Sequence, residues 1–164
     1  ERIDEDIDTF WPCADTSTPR PFVDRFHTPD GRARFVPVFH RGAAEDLDDE
    51  YPVYLTTGRQ LAHYQSGAQT RRVPALLAAA GALYVELHPQ LAALLGIVDG
   101  DPVRVTSRRG GVVAPARLTD SIRLDTVFMP FHWPGTNDVT SAALDPVSRM
   151  PEFKVCAVRL ERAA

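Results

Sequence analysis

Cysteine is scarce in this chain of 164 residues: Cys13 and Cys156 are the only two, too few for a disulfide framework and without metal-motif spacing. Cys156 stands among alternating apolar residues and reads as a small buried hydrophobe. The histidines, His27, His40, His63, His88 and His132, show no metal-ligand spacing, and no carboxylate cluster completes a metal site. Long hydrophobic runs are missing too. The longest, Val73–Val85, is broken by Pro74 and Gly81 and is too short for a bilayer, so no membrane partner is expected. Positive charge is not in excess: the net charge of −4 argues against nucleic acid as a partner. Nor is there a nucleophile elbow to organise Ser, His and Asp into a hydrolytic site. Lysine is nearly absent. Of eighteen basic residues only Lys154 is a lysine, a compact ammonium kept where the planar guanidinium is otherwise the rule.

What is present is a globular composition, 44% apolar and 24% charged, in a length that supports a proper core. Residues 1–50 and 51–164 read differently. The first stretch is punctuated by the turn signals Thr18-Pro19-Arg20-Pro21 and Thr28-Pro29-Asp30-Gly31. Within it, Ala33–Phe39 reads as a strand with Phe22–Phe26 as its hairpin partner. Glu45–Glu50 carries five acids in six positions, a solvated connector that marks the boundary.

From Tyr51 onward strands dominate: Val53–Thr57, Leu83–Leu87, Val103–Ser107, Val112–Leu118, Thr126–Met129 and Phe153–Leu160. Two short helices fit between them, Val73–Ala80 and Pro89–Leu95, the second with Pro in its first turn and Gly96 past its end. Gly110-Gly111 signals a hairpin, and Val98-Asp99-Gly100-Asp101 a second tight turn. Many short strands with few helices favour a mainly β barrel or sandwich. Ser107-Arg108-Arg109-Gly110-Gly111 has phosphate-loop composition but no following helix, and reads as an exposed basic turn.

Chemistry concentrates in the loop after the first of these strands, Leu55-Thr56-Thr57-Gly58-Arg59, continued by Leu61-Ala62-His63-Tyr64-Gln65-Ser66-Gly67 and Thr70-Arg71-Arg72. Backbone N–H groups, short hydroxyls and a fork of guanidinium donors suit a phosphorylated ligand, although an ordinary strand-to-loop connection reads equally well on loop chemistry alone. A second loop holds Phe131, His132, Trp133, Asn137 and Thr140.

Tyr51–Arg59, Phe128–Trp133, Asn137, Thr140 and Leu144–Val158 together closely resemble the C-terminal domain of molybdenum bis(molybdopterin guanine dinucleotide) oxidoreductases, over essentially the whole chain. The wording Ser148-Arg149-Met150-Pro151-Glu152-Phe153-Lys154 leans to the assimilatory-type nitrate reductases over the related formate dehydrogenases. The resemblance implies a double-psi β-barrel over 51–164, with 1–50 as a connector from a preceding domain of a longer enzyme. It implies that Thr57, Gly58, Arg59, His63, Gln65, Asn137 and Lys154 hold one pterin guanine dinucleotide, with Phe131 and His132 near the substrate path. Gly58 would admit close backbone approach, Arg59 and Lys154 would meet negative charge, and His63, Gln65 and Asn137 would read pterin edges. Arg71 and Arg72 follow; solvent exposure is the commoner state of arginine and is the reading favoured for each, with a cofactor-facing role for one of them as the alternative.

By the same resemblance, the parent enzyme would be cytoplasmic and would reduce nitrate. Its molybdenum ligand and 4Fe-4S cluster would lie upstream, its partners would be those upstream domains and an electron donor, and this segment alone would be inert. The alternatives are the same domain in a formate dehydrogenase, or a free-standing β-barrel that binds a protein or small ligand. The first reading requires that 57–65, 131–137 and 154 line one exposed groove.

Overall fold

The computed structural model describes residues 22–163. Cys13 and the Thr18–Pro21 turn signal lie outside them. The chain divides into two compact units, one ending at Arg41 and one running from Gly42 to the C-terminus.

In the first unit the expected hairpin is absent among the described residues: neither Phe22–Phe26 nor Ala33–Phe39 is a strand. The turn between them does form, with Gly31 N–H donating to the Thr28 carbonyl at 3.0 Å and Arg32 N–H to Asp30 Oδ1 at 3.1 Å. What fails is the ladder. Pro37 has no N–H to donate to it. Phe35, Val38 and Phe39 are exposed on both sides of the backbone and have no buried face to register against.

The second unit is a closed barrel. Its strands are β1 (Val53–Gly58), β2 (Val85–Leu87), β3 (Pro102–Thr106), β4 (Gly111–Leu118), β5 (Thr126–Pro130) and β6 (Cys156–Arg162), with two helices, α1 (Pro74–Ala79) and α2 (Pro89–Leu94). Around the barrel the order is β1-β5-β2-β4-β3-β6. β1 with β5 and β2 with β4 pair in parallel, and the remaining neighbours are antiparallel. This closed, six-strand, mainly β architecture is the double-psi β-barrel.

Period-two burial explains why these segments are strands. β1 alternates buried Val53, Leu55 and Thr57 with half-covered neighbours, and Val103 with Val105, and Val127 with Met129, do the same on β3 and β5. Their inward side chains meet Leu87 and Val158 in one core. All six strands predicted from the sequence are present, four of them within one residue of the expected ends and two, β6 and β2, shifted further. β6 starts at Cys156, because Phe153 and Lys154 are engaged by Thr57 through a side chain instead of a ladder, and it runs on to Arg162, which finds Val103 on β3. β2 is trimmed to Val85–Leu87. Both turn signals form, the first with Ser107 N–H bonded to the Gly110 carbonyl at 2.8 Å, the second with Gly100 at φ +84. His88 caps α2 by accepting Gln90 N–H at 3.1 Å, and Gly96 takes the left-handed position after it. No described helix is long and apolar enough to cross a membrane.

Within the acidic segment Asp46, Asp48, Asp49 and Glu50 are exposed, but Glu45 is held by the barrel, and Arg108 and Arg109 are not a free basic turn. Glu45, only 11% exposed at its side chain, receives Arg109 at 2.9 and 2.8 Å, Arg108 at 2.6 Å and the Ala157 amide at 3.0 Å. Asp48 also pairs with Arg108, whose guanidinium lies over the Tyr51 ring. Composition shows five like charges in six positions; it does not show that two arginines 60 to 64 residues away fold back onto Glu45 and Asp48. Arg109 first, then the Ala157 amide and Arg108, draw the Glu45 carboxyl down to about 2 against the opposing effect of burial.

Two outcomes follow. Leu55→Ala, at a fully buried β1 position, is expected to lower stability in urea denaturation by about 2–5 kcal/mol. A depressed carboxylate contributes stability above its unfolded value and loses it as pH falls towards the folded one. Acid titration of stability should therefore show a loss between about pH 4.5 and 2 that is shallower in Glu45→Gln, by up to roughly 3 kcal/mol.

Candidate functional site

Strand pairing brings the site together. β1 and β5 run in parallel with Gly58 opposite Pro130, so the loops that follow them, 59–65 and 131–137, emerge side by side. β6 runs antiparallel to β1 with Cys156 opposite Leu55. That register places Lys154 beside Thr57, whose carbonyl accepts its Nζ at 2.6 Å, while Thr57 Oγ1 donates to the Phe153 carbonyl at 3.0 Å.

The result is an open groove of about 360 Å³, lined by Arg59, Gln65, Phe131, Asn137, Thr140, Ser141, Pro151, Phe153 and Lys154. Five of the residues expected from the sequence thus share one surface. The Arg59 guanidinium lies 5.5 Å and the Lys154 ammonium 5.3 Å from the Phe131 ring centroid, and Lys154 also lies over Phe153 at 5.0 Å. Arg59 reaches Gln65 Oε1 at 3.5 Å. The Asn137 amide has no hydrogen-bond partner among the described residues. No carboxylate lines the groove. Partial burial first, then the Arg59 charge, hold the Lys154 amine below its ordinary value.

The other expected residues serve the walls. Gly58 is required by the protein itself: a Cβ there would sit 2.5 Å from Phe128 Cε2. His63 is buried away from the groove, with Nε2 at 2.7 Å from the Ala80 carbonyl and Nδ1 at 3.0 Å from Thr70 Oγ1. It packs edge-on against Trp133, which also carries Arg71 at 5.2 Å. His132 is 1% exposed. It accepts Gln60 N–H on Nε2 at 2.8 Å and faces the Gln65 carbonyl with Nδ1, so this bonding pattern requires the Nδ1–H tautomer. With both nitrogens committed, His132 ties the two loops together and has none left for a substrate. Gln65 itself holds left-handed backbone at φ 49, a cost of the kind that such ties sustain.

Sequence reasoning missed Ser141 and read Phe153 only as the start of a strand. Ser141 N–H donates to Cys156 Sγ at 3.0 Å, a contact that no motif announces. Among the described residues no cluster of His, Cys, Asp or Glu could hold a metal ion.

A family model described as "Molydopterin dinucleotide binding domain" matches residues 53–157. The chain belongs to this family of molybdopterin dinucleotide-binding domains. It is 43% identical over 157 residues to F420-dependent formate dehydrogenase 2 subunit alpha of Methanococcus maripaludis, covering 93% of this chain and 23% of that protein. It is 42% identical over 158 residues to the assimilatory nitrate reductase catalytic subunit of Bacillus subtilis, covering 92% of this chain and 22% of that one. The chain thus spans under a quarter of the length of these relatives. In fold it resembles acetylene hydratase from Pelobacter acetylenicus, with a TM-score of 0.60 at 20% identity, covering 70% of this chain and 19% of the hydratase.

Gly58→Ala is expected to cost about 1–3 kcal/mol in chemical denaturation, because the Phe128 ring must move to admit the methyl group.

Proposed function

We propose that this domain holds one pterin guanine dinucleotide of a molybdenum oxidoreductase in the groove of Arg59, Gln65, Phe131, Asn137 and Lys154, and that the enzyme reduces nitrate to nitrite. The observation that carries the reading is the convergence of two cations on an acid-free groove that also carries the Gln65 and Asn137 amides. That donor set fits the group. Its diphosphate needs positive charge and its bases need donors and acceptors in one plane. Arg59 and Lys154 would meet the phosphate charge, and Gln65 and Asn137 would read base or pterin edges. His132 and Thr57 would keep the loops in register, and His63 would support the wall behind them.

When bound, the molybdenum cofactor supplies the two-electron chemistry; the residues here bind and orient it. None of them forms a nucleophile–base pair, so the isolated domain is inert. The molybdenum ligand, the 4Fe-4S cluster and the contact with an electron donor are assigned to the remainder of a cytoplasmic parent enzyme.

Nitrate as substrate is supported by the Ser148–Lys154 wording and by the likeness to the Bacillus subtilis reductase. Formate is the second reading, favoured by the equal likeness to the Methanococcus maripaludis dehydrogenase.

Isothermal titration with guanosine 5′-diphosphate tests the groove. Saturable binding is expected, weakened about ten- to a hundredfold by Arg59→Ala or Lys154→Gln. Because Lys154 must be protonated to attract an anion and its amine lies below the ordinary lysine value, affinity should fall with rising pH earlier than for a solvated lysine. Absence of saturable binding would sink the pterin-dinucleotide reading and favour a free-standing interaction module. Nitrate-dependent against formate-dependent dye oxidation and reduction by the full-length enzyme decides the substrate.

A further inference from the structure

Two features lie outside the groove lining: the acidic segment around Glu45, and the arginine pair at the β3–β4 turn. Both lead to the same groove wall. Arg109 gives Glu45 a bidentate pair at 2.9 and 2.8 Å, and the same guanidinium donates to the Val139 carbonyl at 3.1 Å. Val139 closes the 3-10 turn Thr136–Val139, which carries Asn137, and is followed directly by Thr140 and Ser141. All three of these polar residues line the groove.

The fit at this turn is tight on the neighbouring residues as well. A Cβ on Gly110 would lie 3.0 Å from the Asp138 carbonyl oxygen, and one on Gly135, already at φ +94, would lie 2.6 Å from Val112 Cγ2. The β3–β4 hairpin therefore supports the 3-10 turn from behind. From the other side, Thr136 Oγ1 is fixed to the Pro130 carbonyl at 3.0 Å. Between these supports, Arg109 grips the Val139 carbonyl at the end of the turn, beside Thr140 Oγ1 on the Asn137 carbonyl and Cys156 Sγ under the Ser141 amide.

A guanidinium shared between one carboxylate and one carbonyl needs the carboxylate to hold its orientation. Glu45 does this from a fixed seat, because the Ala157 amide of β6 and Arg108 hold it in turn. We infer that Arg109, oriented by Glu45, is a positioning residue that sets the Asn137–Ser141 wall of the groove, making the acidic segment a working part of the binding site. The inference rests on the proposed pterin-dinucleotide reading for its purpose. Its mechanical content stands apart from that reading.

Two readouts keep the questions separate, both on the full chain. Hydrogen–deuterium exchange without ligand reads the wall directly. Arg109→Ala and Glu45→Gln should each speed amide exchange across 136–141 while leaving 53–58 unchanged. Arg109→Lys, which keeps charge but loses the fork, should fall between Arg109→Ala and wild type. Arg162→Ala, which breaks the ion pair with Asp101, is the control and should leave 136–141 as in wild type.

Titration with guanosine 5′-diphosphate, below the melting temperature of every variant, should show about tenfold weaker binding for Arg109→Ala and for Glu45→Gln. The double variant should be no worse than Arg109→Ala, as expected for two residues acting through one contact. Unchanged exchange across 136–141 in Arg109→Ala would overturn the inference, whatever the nucleotide does. Faster exchange with unaltered affinity would reduce Arg109 to a stability role and overturn it equally. A wild-type chain that binds no nucleotide, with exchange responding as expected, would instead remove the pterin-dinucleotide reading and leave the strut in place.

Discussion

The pairing of β1 with two neighbours of opposite sense governs the rest of the molecule. A parallel partner on one side sends two loops out of the same end of the barrel. An antiparallel partner on the other side brings a third segment in at that end. Gly58, Pro130 and Lys154 are therefore neighbours because of ladder register, although they are separated by up to 96 positions in the chain. A slip of one residue between β1 and β6 would carry the segment before Cys156 out of register with Thr57 and take the Lys154 ammonium from the carbonyl that accepts it. The buried alternation of Val53, Leu55 and Thr57 guards against that slip, so the packing of the core and the chemistry of the groove are one constraint.

Much of this was legible because strand periodicity and turn chemistry are local. The Gly110-Gly111 hairpin, the Pro89 start and Gly96 stop of α2, and the alternation in β1, β3 and β5 can each be read within a few residues. The double-psi connectivity was legible only through resemblance, since periodicity does not order strands around a barrel. The misreadings share one cause. Ala33–Phe39 has strand-like composition without a ladder partner among the described residues, and Glu45–Glu50 has linker-like composition but a distant partner. In both, the deciding interaction lies far along the chain or is absent among the described residues, and neither fact is written in the segment itself.

The site shows the same division. Arg59, Gln65, Asn137 and Lys154 were found as chemical types suited to an anionic, base-bearing ligand, and they share the groove. Gly58 and His132 occur where ligand chemistry would put them, yet their environments are internal: one makes room for an aromatic ring, the other spends both ring nitrogens on backbone. A residue type that suits a ligand also suits the loop that carries it, and only geometry separates the two uses.

Lys154 has a consequence beyond electrostatics. As the chain's only lysine it is the sole side-chain primary amine, and it stands at the mouth of the groove with its basicity reduced. A reduced basicity means a larger share of free amine, the form that attacks acylating reagents and aldehydes. The groove thus has its own chemical address. A fluorophore or crosslinker directed at amines would report from this site alone among the side chains, and its rate of attachment would measure how often the groove is covered.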